Sequence, residues 1–138
     1  MRQATTMLQI DTRGAGLIDF TDRVTDWTDG QAMREGLLTL FCRHTSASLL
    51  IPENAAPAVQ RDLAAYFDRI APQGPYYEHD DEGPDDMPAH PRTALTGVSL
   101  SIPLIDGRLA LGTWQGIYLF EHRARPHRRS VALHLMGG

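Results

Sequence analysis

The sequence predicts a single α+β domain built on antiparallel β-sheet. Strand-like apolar segments recur along the whole chain, short turns separate them, and two or three segments with helical spacing interrupt them. The length of 138 residues, of which 42% are hydrophobic, is enough for one modest core. Residues 1–138 are therefore expected to form one domain.

The chain begins with a predicted strand and a predicted helix. Residues 4–11 have the pattern of a strand. Phe20, Val24 and Trp27 then recur at helical spacing, and Gly30 is expected to end that helix.

Two neighbouring strands and the most strongly marked helix follow. Residues 36–43 and 47–51 have strand character, and Pro57 suits the first turn of a helix predicted over residues 55–70. The apolar face of this helix consists of Val59, Leu63, Tyr66 and Ile70. We expect the helix to pack on the sheet through Val59, Leu63 and Ile70.

The second half of the chain contains a long irregular segment and then further strands. Residues 72–91 carry five prolines and two glycines, and so long a loop in a compact domain is usually functional or disordered. A short helix is expected at 91–96. The remaining strand-like segments are 98–102, 109–111, 116–122 and 130–136.

The composition excludes several classes of function. All 13 basic residues are arginines, which excludes mechanisms based on a lysine nucleophile or Schiff base. The net charge of −4 argues against general nucleic-acid binding. No apolar run approaches the roughly 20 residues of a membrane span, and the N-terminus lacks the apolar core of a secretory signal. A cytoplasmic location away from membranes is expected.

Charged residues are unevenly distributed along the chain. The segment Glu78–Asp86 holds six acids in nine positions, whereas Arg108–Gly138 holds five arginines and a single acid, Glu121. The first segment is suited to cations and the second to anions. The arginines of the turn His122–Arg129 can bind a phosphate through two parallel hydrogen bonds, although a solvated hairpin would have the same composition.

Two polar motifs lie at the ends of the predicted strand 47–51. His44 and Thr45 precede it in a polar turn, and Glu53 and Asn54 follow it. Such residues can form a site, but hydroxyls at turns also satisfy local backbone groups and a carboxylate before a helix can cap it. Both interpretations stay open at this point.

The long loop contains the most suggestive combination of side chains. Neutral imidazoles beside carboxylates can bind a divalent metal or exchange protons near neutral pH, and His79 and His90 bracket acids that include Asp86. The alternative is a solvated acidic loop. Later in the chain, glycines flank Trp114 and Gln115, which indicates either a close backbone approach to a ligand or a strand bulge.

Four segments of the chain resemble, in order, the signature segments of the YjbQ-like family. The segments are HTSASLLIPEN, EGPDDMPAHPRTALTG, GRLALGTWQGIYLFEH and RPHRRSVALHLMG. The resemblance covers almost the whole chain and implies antiparallel sheets forming a sandwich, with two or three helices. It also implies a homotrimer and a thiamine-phosphate synthase activity, which joins a pyrimidine diphosphate to a thiazole phosphate.

The resemblance also indicates which individual residues matter, because the family pattern falls on all of the following positions. From their chemistry we expect catalytic roles for Glu53, Asp62, Asp86 and Gln115, substrate binding by Thr45, Asn54, Trp114 and Arg128, and metal binding by His44, His79 and His90. We expect the three imidazoles to converge in one cleft that holds a divalent metal such as Mg or Zn.

Three functions are compatible with these observations. The first is a transferase that acts on a small phosphorylated substrate and uses a divalent metal but no organic cofactor. The second is a metal-dependent hydrolase of phosphate-containing small molecules. The third is a non-catalytic module that binds a small molecule or a protein.

Overall fold

The computed structural model describes all residues, 1–138, as two antiparallel sheets and three helices. The strands are β1 Arg2–Asp11, β2 Gly16–Asp19, β3 Gly36–Cys42, β4 Ala47–Leu50, β5 Ser99–Ile105, β6 Arg108–Leu109, β7 Tyr118–Glu121 and β8 Arg128–Gly137. The helices are α1 Thr21–Gly30, α2 Pro57–Ile70 and α3 Asp86–Thr96. The predicted α+β class is confirmed.

The sheet order brings the two ends of the chain together. One sheet has the order β1-β8-β3-β5-β6 and the other the order β2-β7-β4. The terminal strands β1 and β8 pair antiparallel from Arg2 opposite Gly137 to Asp11 opposite Arg128. Every strand pair in both sheets is antiparallel, as expected.

The hydrophobic core lies between the two sheets. In β8 every second side chain is buried, as the two-residue period of a strand requires when one face is covered. Leu38 of β3 and Leu133 of β8 face the core from the larger sheet, and Leu49 of β4 and Leu119 of β7 face it from the smaller sheet.

A buried ion pair lies within this framework. Glu121 has no exposed surface and Arg129 is 4% exposed. Arg129 Nε donates to Glu121 Oε1 at 2.8 Å, and Arg129 Nη2 bonds both Glu121 Oε2 and the Ser46 carbonyl. The Thr12 hydroxyl adds a hydrogen bond to Glu121 at 2.7 Å. These polar groups connect the end of β7 to β8 across the interior.

Helix α2 occupies the predicted position but packs through a different residue. Its single buried side chain is Phe67, whose ring meets that of Phe120 edge to face with centroids 5.5 Å apart. Tyr66 and Ile70 remain 47% and 44% exposed, so the expectation that Ile70 packs on the sheet is wrong. The helix touches the domain along one edge of its apolar face.

Helix α3 is longer than the predicted helix at 91–96 because it begins at Asp86. Pro88 is its third residue, and the first backbone N–H groups of a helix have no partner within the helix, so this proline removes no hydrogen bond. Pro91 lies inside the helix and is tolerated there. None of the three helices is long and apolar enough to cross a membrane.

Candidate functional site

Two histidines and an aspartate meet where the long loop enters α3. His79 Nε2 lies 2.9 Å and His90 Nε2 lies 3.3 Å from the same oxygen, Oδ2 of Asp86. Asp86 and His90 are four residues apart in α3, so they project from one face of the helix. His79 reaches them from the loop, where Glu82 Oε2 lies 2.8 Å from His79 Nε2.

Arg123 holds the acidic side of this cluster in place. Its Nη1 donates to Oδ1 of Asp86 at 3.0 Å, its Nε donates to Oδ2 of Asp85 at 3.1 Å, and its Nη2 donates to the Glu82 carbonyl at 2.9 Å. The backbone N–H of Ala124 donates a further bond to Asp85 at 2.7 Å. The connection between β7 and β8 therefore positions both the loop that carries His79 and the start of α3.

The groups of the cluster stabilise the ionised forms of Asp86 and His79. Burial opposes ionisation of Asp86, but the positive charges of His90 and Arg123 outweigh it and lower the pKa of Asp86 below its usual value. Hydrogen bonding of the His79 ring to the carboxylate of Glu82, and further to that of Asp86, raises the pKa of His79. Asp86 is consequently an anion at neutral pH, with one oxygen held by Arg123 and the other facing both imidazoles.

The donor set fits a transition metal. In a tetrahedral site with bonds of about 2.0–2.1 Å, neighbouring ligand atoms lie roughly 3.3 Å apart. The ligand atoms of His79, Asp86 and His90 all lie within 4.8 Å of one another. Two imidazoles and one carboxylate suit Zn²⁺ or a similar ion better than Mg²⁺, which prefers oxygen ligands. The side chains of His79 and His90 are 46% and 35% exposed, so an ion would remain accessible to a substrate.

His44 does not join the other two histidines, contrary to the expectation of convergence. It belongs to neither cluster of side chains whose ligand atoms lie within 4.8 Å of one another. Its Nε2 accepts a hydrogen bond of 2.8 Å from the backbone N–H of Ser130, which ties the turn after β3 to β8. Burial and the nearby charge of Arg129 lower the pKa of His44 and keep it neutral. Its contacts in this chain are structural.

Four of the expected residues form a second polar group. An isolated β-bridge pairs Glu53 with Gln115, and the Asn54 N–H donates to the Trp114 carbonyl at 2.8 Å. Glu53 Oε2 accepts a bond of 3.1 Å from the N–H of Ala56, just before α2, so the carboxylate has a capping role. None of the hydrogen bonds of Glu53, Asn54 or Gln115 reaches the histidine cluster.

The other expected residues lie apart from both groups. Asp62 and Thr45 are exposed and make no side-chain hydrogen bond. Arg128 Nε pairs with Oδ1 of Asp11 at 3.1 Å on the surface, at the end of the β1–β8 ladder. The arginine expected to bind phosphate is therefore paired with an aspartate of the neighbouring strand.

Sequence reasoning missed three residues that build the cluster, namely Glu82, Asp85 and Arg123. The spacing of Asp86 and His90 at i and i+4 was a usable signal, because it places both residues on one face of a helix. That signal was hidden because Pro88 and Pro91 indicated irregular structure. No local pattern connects Arg123 to a loop about forty residues earlier.

Two neighbouring cavities open beside Asp85. The first, of about 450 Å³, is lined by residues that include Glu82, Arg123 and Arg125. The second, of about 270 Å³, is lined by residues that include Arg92 and His122. They share Gln73, Asp85 and Ala124, so together they form one cleft next to the histidine cluster.

Comparison with known proteins gives a consistent result over the whole chain. The family model described as UPF0047 protein YjbQ-like matches residues 6–138. A UPF0047 protein of Synechocystis sp. is 50% identical over 137 residues, which is 99% of this chain and 93% of that protein. The UPF0047 protein YjbQ of Salmonella typhimurium is 46% identical over 98% of this chain and 97% of its own length. The crystal structure of an uncharacterized conserved protein of the same family from Clostridium acetobutylicum superimposes with a TM-score of 0.82 at 34% identity, covering 96% and 99% of the two chains.

Proposed function

The chain belongs to the YjbQ-like UPF0047 family, and we propose that it is a divalent-metal-dependent enzyme that acts on a small phosphorylated molecule. One observation carries the proposal. The ligand atoms of His79, Asp86 and His90 all lie within 4.8 Å of one another. Glu82 and Arg123, which contact His79 and Asp86, line the neighbouring cavity. Catalytic zinc sites typically have three protein ligands and one open position for water or substrate.

The residues around the cluster have complementary tasks in this proposal. His79, Asp86 and His90 would hold the ion, which when bound would polarise a phosphate oxygen or an attacking water. Arg123 fixes the orientation of Asp86 and Asp85. Arg125 lines the larger cavity and makes no side-chain hydrogen bond, so its guanidinium is available to a phosphate. Glu82, beside His79, is placed to accept a proton.

The reaction we favour is transfer of a group with loss of pyrophosphate, of the thiamine-phosphate synthase type that the sequence resemblance implies. A metal and arginines beside one cleft suit the developing charge on the leaving oxygens. Such an enzyme requires no organic cofactor and no nucleic-acid or membrane partner, and we place it in the cytoplasm. Hydrolysis of phosphate esters is the second candidate, because an open metal position can also activate water.

The test begins with the metal. We expect purified protein to bind about one Zn²⁺ per chain by calorimetry. His79→Ala and His90→Ala should each weaken binding by at least about a hundredfold, because losing a residue that merely orients a ligand already costs about 10–100-fold. Asp62→Ala, which removes an exposed acid with no hydrogen bond, is the matched control and should bind like the wild type. Zn²⁺ affinity that is unchanged in both histidine variants would contradict the proposed site.

Activity distinguishes the candidate reactions. Thiamine-phosphate formation that stops on addition of a chelator, and is absent in His90→Ala, would support the transferase. Chelator-sensitive hydrolysis of p-nitrophenyl phosphate without that synthesis would favour the hydrolase. Tight binding of a phosphorylated ligand without turnover of either substrate would favour a binding module.

We propose further that the protein is a homotrimer whose subunits cover the outer face of the larger sheet. Ala132 of β8 lies between Met7 of β1 and Phe41 of β3, and the last two side chains are 42% and 47% exposed. Leu37 lies beside Met136 on the same face, and both are similarly exposed. Monomeric proteins rarely leave so continuous an apolar surface in water. Light scattering should give three times the chain mass of 15.3 kDa, and Phe41→Glu should reduce it.

A further inference from the structure

Helix α2 has an apolar stripe that the rest of the chain leaves largely uncovered. The stripe consists of Val59, Leu63, Tyr66 and Ile70, whose spacings along the helix are four, three and four residues. Tyr66 and Ile70 are exposed, and the other two side chains are only partly buried. The side chain that anchors the helix to the domain is Phe67, which lies beside the stripe. The stripe is therefore available to another element.

The spacing of the stripe is that of a coiled-coil seam. Alternating steps of three and four residues keep apolar side chains along one line of a helix, where they pack against the same line of a second helix. A helix of 14 residues is only marginally stable by itself in water, and a single buried side chain adds little to it. A second helix along the seam would therefore also stabilise α2.

Two charged residues flank the seam on the side away from Phe67. Asp62 lies one residue before Leu63, and Arg69 lies one residue before Ile70. The guanidinium carbon of Arg69 lies 5.8 Å from the centre of the Tyr66 ring, which holds this charge beside the seam.

Asp62 and Arg69 have no ionic partner within the chain. They are separated by about 10 Å along the helix axis, so they do not pair with each other. The ion pairs between carboxylates and arginines elsewhere in the chain include neither residue. Both charges are therefore free to meet a second helix.

We propose that α2 packs antiparallel on α2 of a second copy of this chain, about a two-fold axis. Such an axis makes every contact occur twice, because each residue meets in its partner the residue that its own copy also presents. Leu63 lies opposite the partner's Tyr66, and Val59 lies opposite the partner's Ile70. All four apolar side chains of the stripe are then removed from water, which favours association.

The flanking charges assign the seam to a second copy and set its direction. In the antiparallel pair Asp62 lies beside the partner's Arg69, and Arg69 lies beside the partner's Asp62, so two ion pairs form. A parallel pair would place Asp62 beside the partner's Phe67 and would form neither ion pair. The association is independent of the metal site, and it doubles the mass whether the unit that associates is one chain or a trimer.

Sedimentation velocity at low ionic strength tests the association. Tyr66→Glu places a charge in the middle of the seam and should reduce the assembly mass at least twofold relative to the wild type at the same concentration. Ala65→Glu is the matched control, because it adds the same charge at the next position, which is exposed and points away from the seam. Its assembly mass should equal that of the wild type, and circular dichroism should show that both variants are folded.

A charge exchange tests the antiparallel contact itself. Asp62→Arg and Arg69→Asp should each weaken association about tenfold, because two attractive pairs become two repulsive ones. The double variant Asp62→Arg/Arg69→Asp should recover the wild-type affinity, and only a contact between chains explains such a recovery, since the two residues are too far apart to interact within one helix.

Two results would each overturn the proposal. Equal assembly masses for the wild type and Tyr66→Glu would mean that the seam does not bind a second copy and is left to a helix of another protein. A double charge variant that associates no better than the single variants would mean that Asp62 does not meet the partner's Arg69, which excludes the antiparallel pair.

Discussion

Replacing Glu121 by alanine should cost the protein a large part of its stability. The carboxylate is fully buried and is the ionic partner of Arg129, which is also buried. Burial opposes its ionisation, but the hydrogen bonds from Arg129 and Thr12 lower the pKa of Glu121 below its usual value. The alanine variant would leave the Arg129 guanidinium in the interior without a counter-charge.

The expected magnitude follows from the kind of contact that is lost. Removing one partner of a buried pair typically costs about 3–5 kcal/mol, because an uncompensated charge remains in a medium of low polarity. The backbone N–H groups of His122 and Arg123 also donate to Glu121 Oε2, at 3.1 and 3.2 Å, and would lose their acceptor. A domain of ordinary stability unfolds with about 5–15 kcal/mol, so the variant should be marginal.

The assay is urea unfolding at pH 7, followed by circular dichroism. Arg34→Ala is the control. Arg34 also forms an ion pair, with Asp106 at 3.2 Å, but both of these side chains are over 70% exposed. Breaking such a surface pair should cost no more than about 1 kcal/mol. If Glu121→Ala does not fold, Glu121→Gln, which keeps an acceptor oxygen, should still lose more stability than Arg34→Ala.

The double variant Glu121→Leu/Arg129→Met tests the physical cause. Removing both charges together avoids the unpaired arginine, so this variant should recover at least about 2 kcal/mol relative to Glu121→Ala. A loss in Glu121→Ala within about 1 kcal/mol of that in Arg34→Ala would refute the reasoning, since it would mean that water reaches Arg129.

Three further predictions concern pH and the metal. Because folding lowers the pKa of His122 from its ordinary value of 6.5 to about 4, the unfolded chain binds more protons than the folded protein between these values. The contribution of His122 to the free energy of unfolding should therefore fall by roughly 3 kcal/mol as the pH drops from 6.5 to 4, and His122→Phe should lose that much less than the wild type in urea titrations at both pH values. Zn²⁺ affinity should fall as the pH drops through the raised pKa of His79, because the proton competes for the nitrogen; calorimetry that finds equal affinity at pH 8 and pH 5.5 would contradict this. Arg123→Met should weaken Zn²⁺ binding about tenfold by releasing Asp86, and unchanged affinity would show that Arg123 does not orient it.

The sequence by itself determined the class of fold and the positions of most elements. Period-two alternation and turn residues identified antiparallel strands, and the helix predicted over residues 55–70 agrees with α2 at Pro57–Ile70. These features are local, because the period of a helix or a strand is set by residues only a few positions apart in the sequence. The start of α3 was missed because its prolines suggested irregular structure. Pro88 is compatible with the helix because it lies in the first turn, where a backbone N–H would have no acceptor within the helix.

Only the tertiary structure decided which polar residues share a site. The chain carries six histidines, yet only His79 and His90 meet at Asp86, while His44 accepts a hydrogen bond from the backbone of β8. Sequence composition indicated an acidic loop and an arginine-rich end. The two segments meet through Arg123, which bonds Asp85 and Asp86, and this contact depends on how β7 and α3 are packed. Contacts between residues so distant in the chain are set by the packing of the whole domain and not by local periodicity.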